Sequence, residues 1–182
     1  TQDSEKKILD DSFEKSTEGT MDDPISVTDP DLYTAVPGWS GKNILVANGM
    51  LGADNGRFPV SLSYLWTPTM NLSSNNGKYK IHIKAHGTAG DYLSIYRIGY
   101  MIDSNGDGEP DALNIHKVTA FDENGYAEET WDMEDGAENM QLSIEENKLK
   151  RFFIDEITII QESKAGEVTR IPLIPVTISD GS

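Results

Sequence analysis

Hydrophobic and polar residues alternate with period two along much of the chain. In "KYKIHIKAH", residues 78–86, Tyr79, Ile81, Ile83 and Ala85 fall on one side, and Lys80, His82, Lys84 and His86 on the other. One apolar face opposite one polar face predicts a half-buried antiparallel strand. The preceding "SSNNGK" has the residues that supply left-handed backbone in turns. In "PVSLSYLW", Val60, Leu62, Tyr64 and Trp66 form an apolar face opposite Ser61 and Ser63, which predicts Trp66 in the core. "DYLSIYRIGYMI" is apolar on both sides and reads as a central strand covered twice over. "LNIHKVTAF", "YAEETWDM", "MQLSIEE" and "LKRFFIDEITIIQ" follow, broken by "DENG" and "EDGAEN". Short strands with Gly, Asn and Asp turns between them predict an all-β antiparallel sandwich or barrel. No long segment of helical period competes.

The ends differ from this middle. Residues 1–31 are acidic and poor in large apolar groups, with Phe13 as the single anchor. We expect a polar lead over residues 1–9, a sandwich domain over 10–162, and an edge strand or linker over 163–182. Pro172 and Pro175 fall in the last apolar stretch, and proline removes a ladder donor.

The length of 182 residues fits one domain. No apolar run reaches the length of a membrane-spanning helix, so no membrane insertion is expected of this segment, and no signal peptide is visible at Thr1. The formal net charge of −16 repels nucleic acid and anionic lipid and suits a protein that gathers divalent cations. With no cysteine, disulfides and thiolate metal sites are excluded, which points toward a bacterial protein.

Catalytic signals are sparse. His82 and His86 share a strand face, but four strand residues hold them about 13 Å apart, too far to grip one ion, so a solvated sheet face is expected. No nucleophile elbow, phosphate loop or zinc-protease motif occurs. With 31 acidic residues, no particular carboxylate pair stands out for glycoside hydrolysis. The seven carboxylates from Asp122 to Asp135 read as a solvated hairpin, or as a second cation site. Asn71-Leu72-Ser73 matches the glycosylation sequon, by chance if the source is bacterial.

"MIDSNGDGEPDAL" is more specific. Asp103, Asn105 and Asp107 alternate, Gly108 follows, Glu109 would offer its carbonyl, and Asp111 takes the ninth position of a calcium loop. The twelfth position is Asn114 and the flanks read as strands, so an EF-hand is excluded. The nine residues resemble the D-x-N-x-D-G-x-x-D calcium loops of dockerins and thrombospondin type 3 repeats. We expect a structural calcium site between two sandwich strands; a polar hairpin loop is the alternative.

Two further segments carry a broader resemblance. "SFEKSTEGT" opens with Phe13-Glu14, and "RFFIDEITI" places Asp155 among apolar neighbours. With "PGWSG", "TPTMNLSSNNGKYKIHIKAH" and "GDYLSIY", residues 10–162 resemble galactose-binding-like jelly-roll modules: carbohydrate-binding modules and the cleaved-adhesin domains of bacterial surface proteases. The resemblance implies a jelly-roll sandwich whose opening and closing strands lie side by side. It also implies Glu14 and Asp155 as ligands of a structural calcium. Such modules stack sugars on aromatic side chains. Tyr92, Tyr96 and Tyr100 fall on one strand face as a candidate platform, although Ile98 and Ile102 favour a core ladder there. Trp39, in a Gly/Pro-bounded loop, is the better exposed candidate, with a staple over a sheet edge as its alternative. Trp131, among acids, reads as a rim aromatic or a partly buried anchor. The combination is similar to secreted proteins that anaerobic gut bacteria use around glycan capture.

The expectation is therefore a non-catalytic extracytoplasmic binding or adhesion module for carbohydrate or surface glycan. It would be secreted or at the cell surface, stabilised by calcium, and a monomer or part of a larger multidomain chain. A structural spacer without a small ligand is the alternative, and a divergent hydrolase comes third.

Overall fold

The computed structural model describes residues 4–54, 62–99, 101–103, 105–113 and 116–163. Among them, fourteen strands occur in order: β1 (Ser4–Asp11), β2 (Ile25–Ser26), β3 (Ser40–Lys42), β4 (Ile44–Ala47), β5 (Met50–Ala53), β6 (Tyr64–Trp66), β7 (Tyr79–His86), β8 (Tyr92–Arg97), β9 (Met101–Ile102), β10 (Ala112–Leu113), β11 (His116–Ala120), β12 (Tyr126–Met133), β13 (Leu142–Glu146) and β14 (Phe152–Ser163). Two antiparallel sheets pack face to face as a sandwich. One has seven strands in the order β12-β7-β14-β5-β4-β2, with β1 also on β14; the other runs β11-β8-β13-β6-β3.

The period-two segments fold as the pattern predicts. β7 turns Tyr79, Ile81, Ile83 and Ala85 inward, opposite Leu65, Leu93, Ile95, Leu142 and Ile144 of the other sheet. Each fully buried aliphatic side chain of this kind contributes about 1.5–3 kcal/mol. The tight β4–β5 connection is Asn48-Gly49, both at positive φ, as a two-residue hairpin requires. Its strands bury residues on both faces, so Leu45, Ala47, Met50 and Phe153 make a small second cluster behind the main core.

β14 organises the larger sheet. Its first residues, Phe152–Ile154, pair with β5, and Ile157–Ser163 pair with β1 along that same edge. Its other edge pairs with β7, with an irregularity between Ile154 and Glu156. The opening and closing strands thus lie side by side. β1 starts inside the expected polar lead: from Ser4 onward that segment is strand, with Leu9 buried, because β14 extends far enough to pair with it. Residues 164–182 lie outside the described residues.

Three other expectations change. Along β6 the faces are reversed: Leu65 is buried, Tyr64 and Trp66 are half-buried on the outside, and Leu62 is 56% exposed. A one-residue shift of phase moves every side chain to the other face. The inward positions beside Leu65 are filled by Ser63 and Thr67, whose hydroxyl accepts the Leu142 amide at 3.0 Å. Val60 lies outside the described residues. β8 is central, but only its inner face is apolar. Finally, the acid run is not uniformly solvated. Asp135 is buried, and burial raises its pKa while the Tyr79 hydroxyl donates to it at 2.8 Å. Arg97, itself buried on β8, donates to the Asp135 carbonyl at 3.1 Å.

Candidate functional site

The outer face of the five-stranded sheet is aromatic. Alternation along β6 sends Tyr64 and Trp66 outward from Leu65, and their rings stack with centroids 4.8 Å apart at 22°. In register across the sheet, Ser40 faces Trp66, Trp66 faces Ser143, Ser143 faces Tyr96, and Tyr96 pairs with His116. Small Ser143 therefore lies as a floor between two aromatic walls two strands apart, about 10 Å. Gly41 lets β3 lie close to this wall, since a Cβ there would run into the Tyr64 carbonyl.

Polar groups border the rings. The Tyr96 hydroxyl lies against Ser143 and Glu145; burial, and then the Glu145 carboxylate, push its pKa up to about 12. Lys42 faces Tyr64 across the β3–β6 pairing. Further along the same face Tyr92 is 45% exposed and Val118 is exposed as well. The surface thus combines flat apolar rings with hydroxyl, carboxylate and ammonium groups able to read hydroxyls.

The site residues expected from sequence scatter. Tyr92 and Tyr96 do share the outward face and do not fill the core; Tyr100 lies outside the described residues. Trp39 is not an exposed loop aromatic. It is 3% exposed, packs edge-on against Phe13 at 5.4 Å, and donates its Nε1–H to Asp11 at 3.2 Å. Asp11 also accepts from the amides of Phe13, Ala35 and Val36, so one buried carboxylate fixes this whole loop. Trp131 is half-buried and turns inward from β12 against the core edge. Trp66, expected in the core, is the aromatic that the face exposes instead.

The acidic candidates are spread equally widely. Glu14 is exposed beyond the end of β1, and Asp155 sits in the β14 irregularity near Tyr126. The 103–111 loop joins the short β9–β10 pair. Asp103 Oδ1 accepts from Gly106 at 2.7 Å and Oδ2 from Gly108 at 2.7 Å. Asn105 accepts from the Asp107 amide at 3.1 Å, and Asp107 from the Glu109 amide at 2.8 Å. Glu109 and Asp111 are exposed. Asp103, Asn105 and Asp107 all serve the turn, and among the described residues no three His, Asp or Glu groups converge as metal ligands.

The outer face of the other sheet is ionic. His82 Nε2 lies 2.9 Å from Glu128 and its Nδ1 3.8 Å from Glu156, with Lys84 3.4 Å from Glu156 and Lys80 3.5 Å from Asp132. His82 and His86 point to this face, as the alternation predicts.

No protein-family model and no curated protein matches the chain. Solved structures do. The chain is similar to carbohydrate-binding and cleaved-adhesin modules. The apo BiXyn10A CBM1 superposes with a TM-score of 0.46 at 12% identity, over 86% of this chain and 99% of that one. The CBM22-1 xylan-binding domain of Paenibacillus barcinonensis Xyn10C gives 0.41 at 17% identity, over 88% and 97%. The K1 cleaved adhesin domain of Lys-gingipain from Porphyromonas gingivalis W83 gives 0.42 at 15%, over 83% and 96%. The likeness concerns the sandwich fold. Among the described residues no helix is long and apolar enough to cross a membrane.

Proposed function

We propose that the chain is a non-catalytic carbohydrate-binding module of a secreted or surface protein, and that it seats a glycan across the Tyr64–Trp66–Tyr96 face. The observation that carries this reading is the stacked, outward Tyr64–Trp66 pair facing Tyr96 across Ser143. Flat rings suit sugar C–H faces, while Glu145 and Lys42 suit hydroxyls. On this face Glu145 is the one carboxylate among the described residues, so the paired acids of glycoside hydrolysis have no counterpart there.

The test is calorimetric titration with a panel of soluble polysaccharides. Binding that disappears in Trp66→Ala supports the reading; undiminished binding by that variant, or none by the wild type to any glycan, sinks it. Calcium enters as a structural ion at the Asp103–Asp111 loop, where Asp103 Oδ2 and Asp107 Oδ1 each accept one amide and keep a second lone pair. Binding to the native state alone raises stability, so calcium should raise Tm over EDTA, and Asp103→Ala should abolish the difference.

A further inference from the structure

The turn between β13 and β14 holds a cluster of ionisable side chains apart from the aromatic face. Asp91, just before β8, and Glu146, the last residue of β13, are 2% and 1% exposed. Their carboxyl groups lie within hydrogen-bonding reach of one another. Lys148 Nζ stands 3.1 Å from Asp91 Oδ1 and Lys150 Nζ 3.5 Å from Oδ2. Glu146 Oε1 accepts the backbone amides of Lys148 and Lys150 at 2.6 and 3.2 Å, while its buried Oε2 has no such donor. The turn is also tied to β8. Asn147 donates its amide to the Tyr92 carbonyl, and its side chain accepts the Tyr92 amide, both at 2.9 Å.

Two carboxylates in contact and shielded from water cannot both stay ionised. The two lysines favour the charge on Asp91. The proton then belongs on Glu146, whose Oε2 needs a hydrogen to share with its neighbour. We propose that Asp91 and Glu146 hold one proton between them, and that this proton latches the β13–β14 turn onto the start of β8. Lys148 and Lys150 are the charged groups facing the pair from the turn. β8 brings Leu93 into register with Glu146, and just past β11 the Phe121 amide donates to the Asp91 carbonyl at 2.9 Å.

The pKa directions agree with this geometry. Burial, then Asp91, raise Glu146; the hydrogen bond from Glu146, then the lysines, lower Asp91. A raised Glu146 lends stability that is complete below its unfolded value and is lost as pH rises through its folded value. A lowered Asp91 lends stability above its unfolded value and loses it as pH falls through its folded value. The latch is therefore strongest between the two unfolded values, weakens toward each folded value and is gone beyond them.

The test does not depend on any ligand. Hydrogen exchange of the 147–150 amides is followed on the full chain from mildly acidic to alkaline pH, with intrinsic exchange corrected. The wild type should lose up to about tenfold in protection for each pH unit between the unfolded and the folded Glu146 values and level off above the folded one, and Glu146→Gln, locked in the neutral form, should show no such loss. Equal pH dependence in the two proteins overturns the proposal. A 13C titration of the Glu146 carboxyl in the wild type needs no variant. Ionisation at the ordinary glutamate value also overturns it, and ionisation clearly above that value supports it.

Discussion

The two outer faces of this sandwich solve one problem in opposite ways. Both belong to antiparallel sheets whose inner faces are aliphatic, and both must present something to water. On the seven-stranded sheet, Lys80 and Lys84 meet Asp132 and Glu156, and His82 meets Glu128, so these polar groups find partners within the face. On the five-stranded sheet the outward positions hold Tyr64, Trp66 and Tyr96, with few charges beside them. A self-paired ionic surface offers a neutral ligand little; a row of half-covered rings leaves apolar area to be buried by something else. The contrast, and not the count of aromatics, favours the aromatic face as the proposed binding face.

Arg97→Ala probes the inside of that aromatic sheet and should have the largest effect. It leaves the Asp135 carbonyl without its buried donor and empties the space of a fully buried side chain; an unsatisfied buried acceptor alone costs about 1–3 kcal/mol, and the cavity adds to it. Denaturant melts will read it as a large fall in midpoint. Trp66→Ala should cost about 2 kcal/mol or more of glycan affinity, the scale of an interface hot spot, while Lys84→Ala on the ionic face leaves affinity unchanged. Equal losses on the two faces would erase the distinction. Gly41→Ala should destabilise the fold by about 1–3 kcal/mol through overpacking and weaken binding along with it, because β3 must move away from Tyr64. The smallest effect concerns acid. A hydrogen bond from His82 holds the Glu128 carboxylate below its usual value, so its stabilising share is present above the unfolded value and is lost as pH falls through the folded one. Glu128→Gln should flatten that acid limb of a Tm-versus-pH curve, and high salt should shrink the wild-type effect.

Much of the fold was legible. "YAEETWDM" is β12 residue for residue, and "KYKIHIKAH" is β7 with its faces correctly assigned, because eight alternating residues leave little choice of phase. β6 has three residues, and phase over three residues is set by what packs behind them; the inward neighbours are Ser63 and the hydrogen-bonded Thr67. The β4–β5 hairpin was missed although Asn48-Gly49 between apolar runs is a strong local signal. Trp39 could not have been placed from sequence, because the carboxylate that draws it inside, Asp11, is 28 residues away. The Asp91–Glu146 contact is hidden for the same reason: it joins residues that only the β8–β13 register brings together.

The pairing of β1 with β14 also governs how the domain would carry load. Ser4 stands opposite Ser163, and the ladder runs from there toward Asp11 and Ile157. Tension applied through these two strand ends would act across the ladder, so the hydrogen bonds would break in succession from Ser4 inward, as in opening a zipper. Such an arrangement yields at low force, and on that path the first strand peels away while β7 and β12 stay paired beyond it.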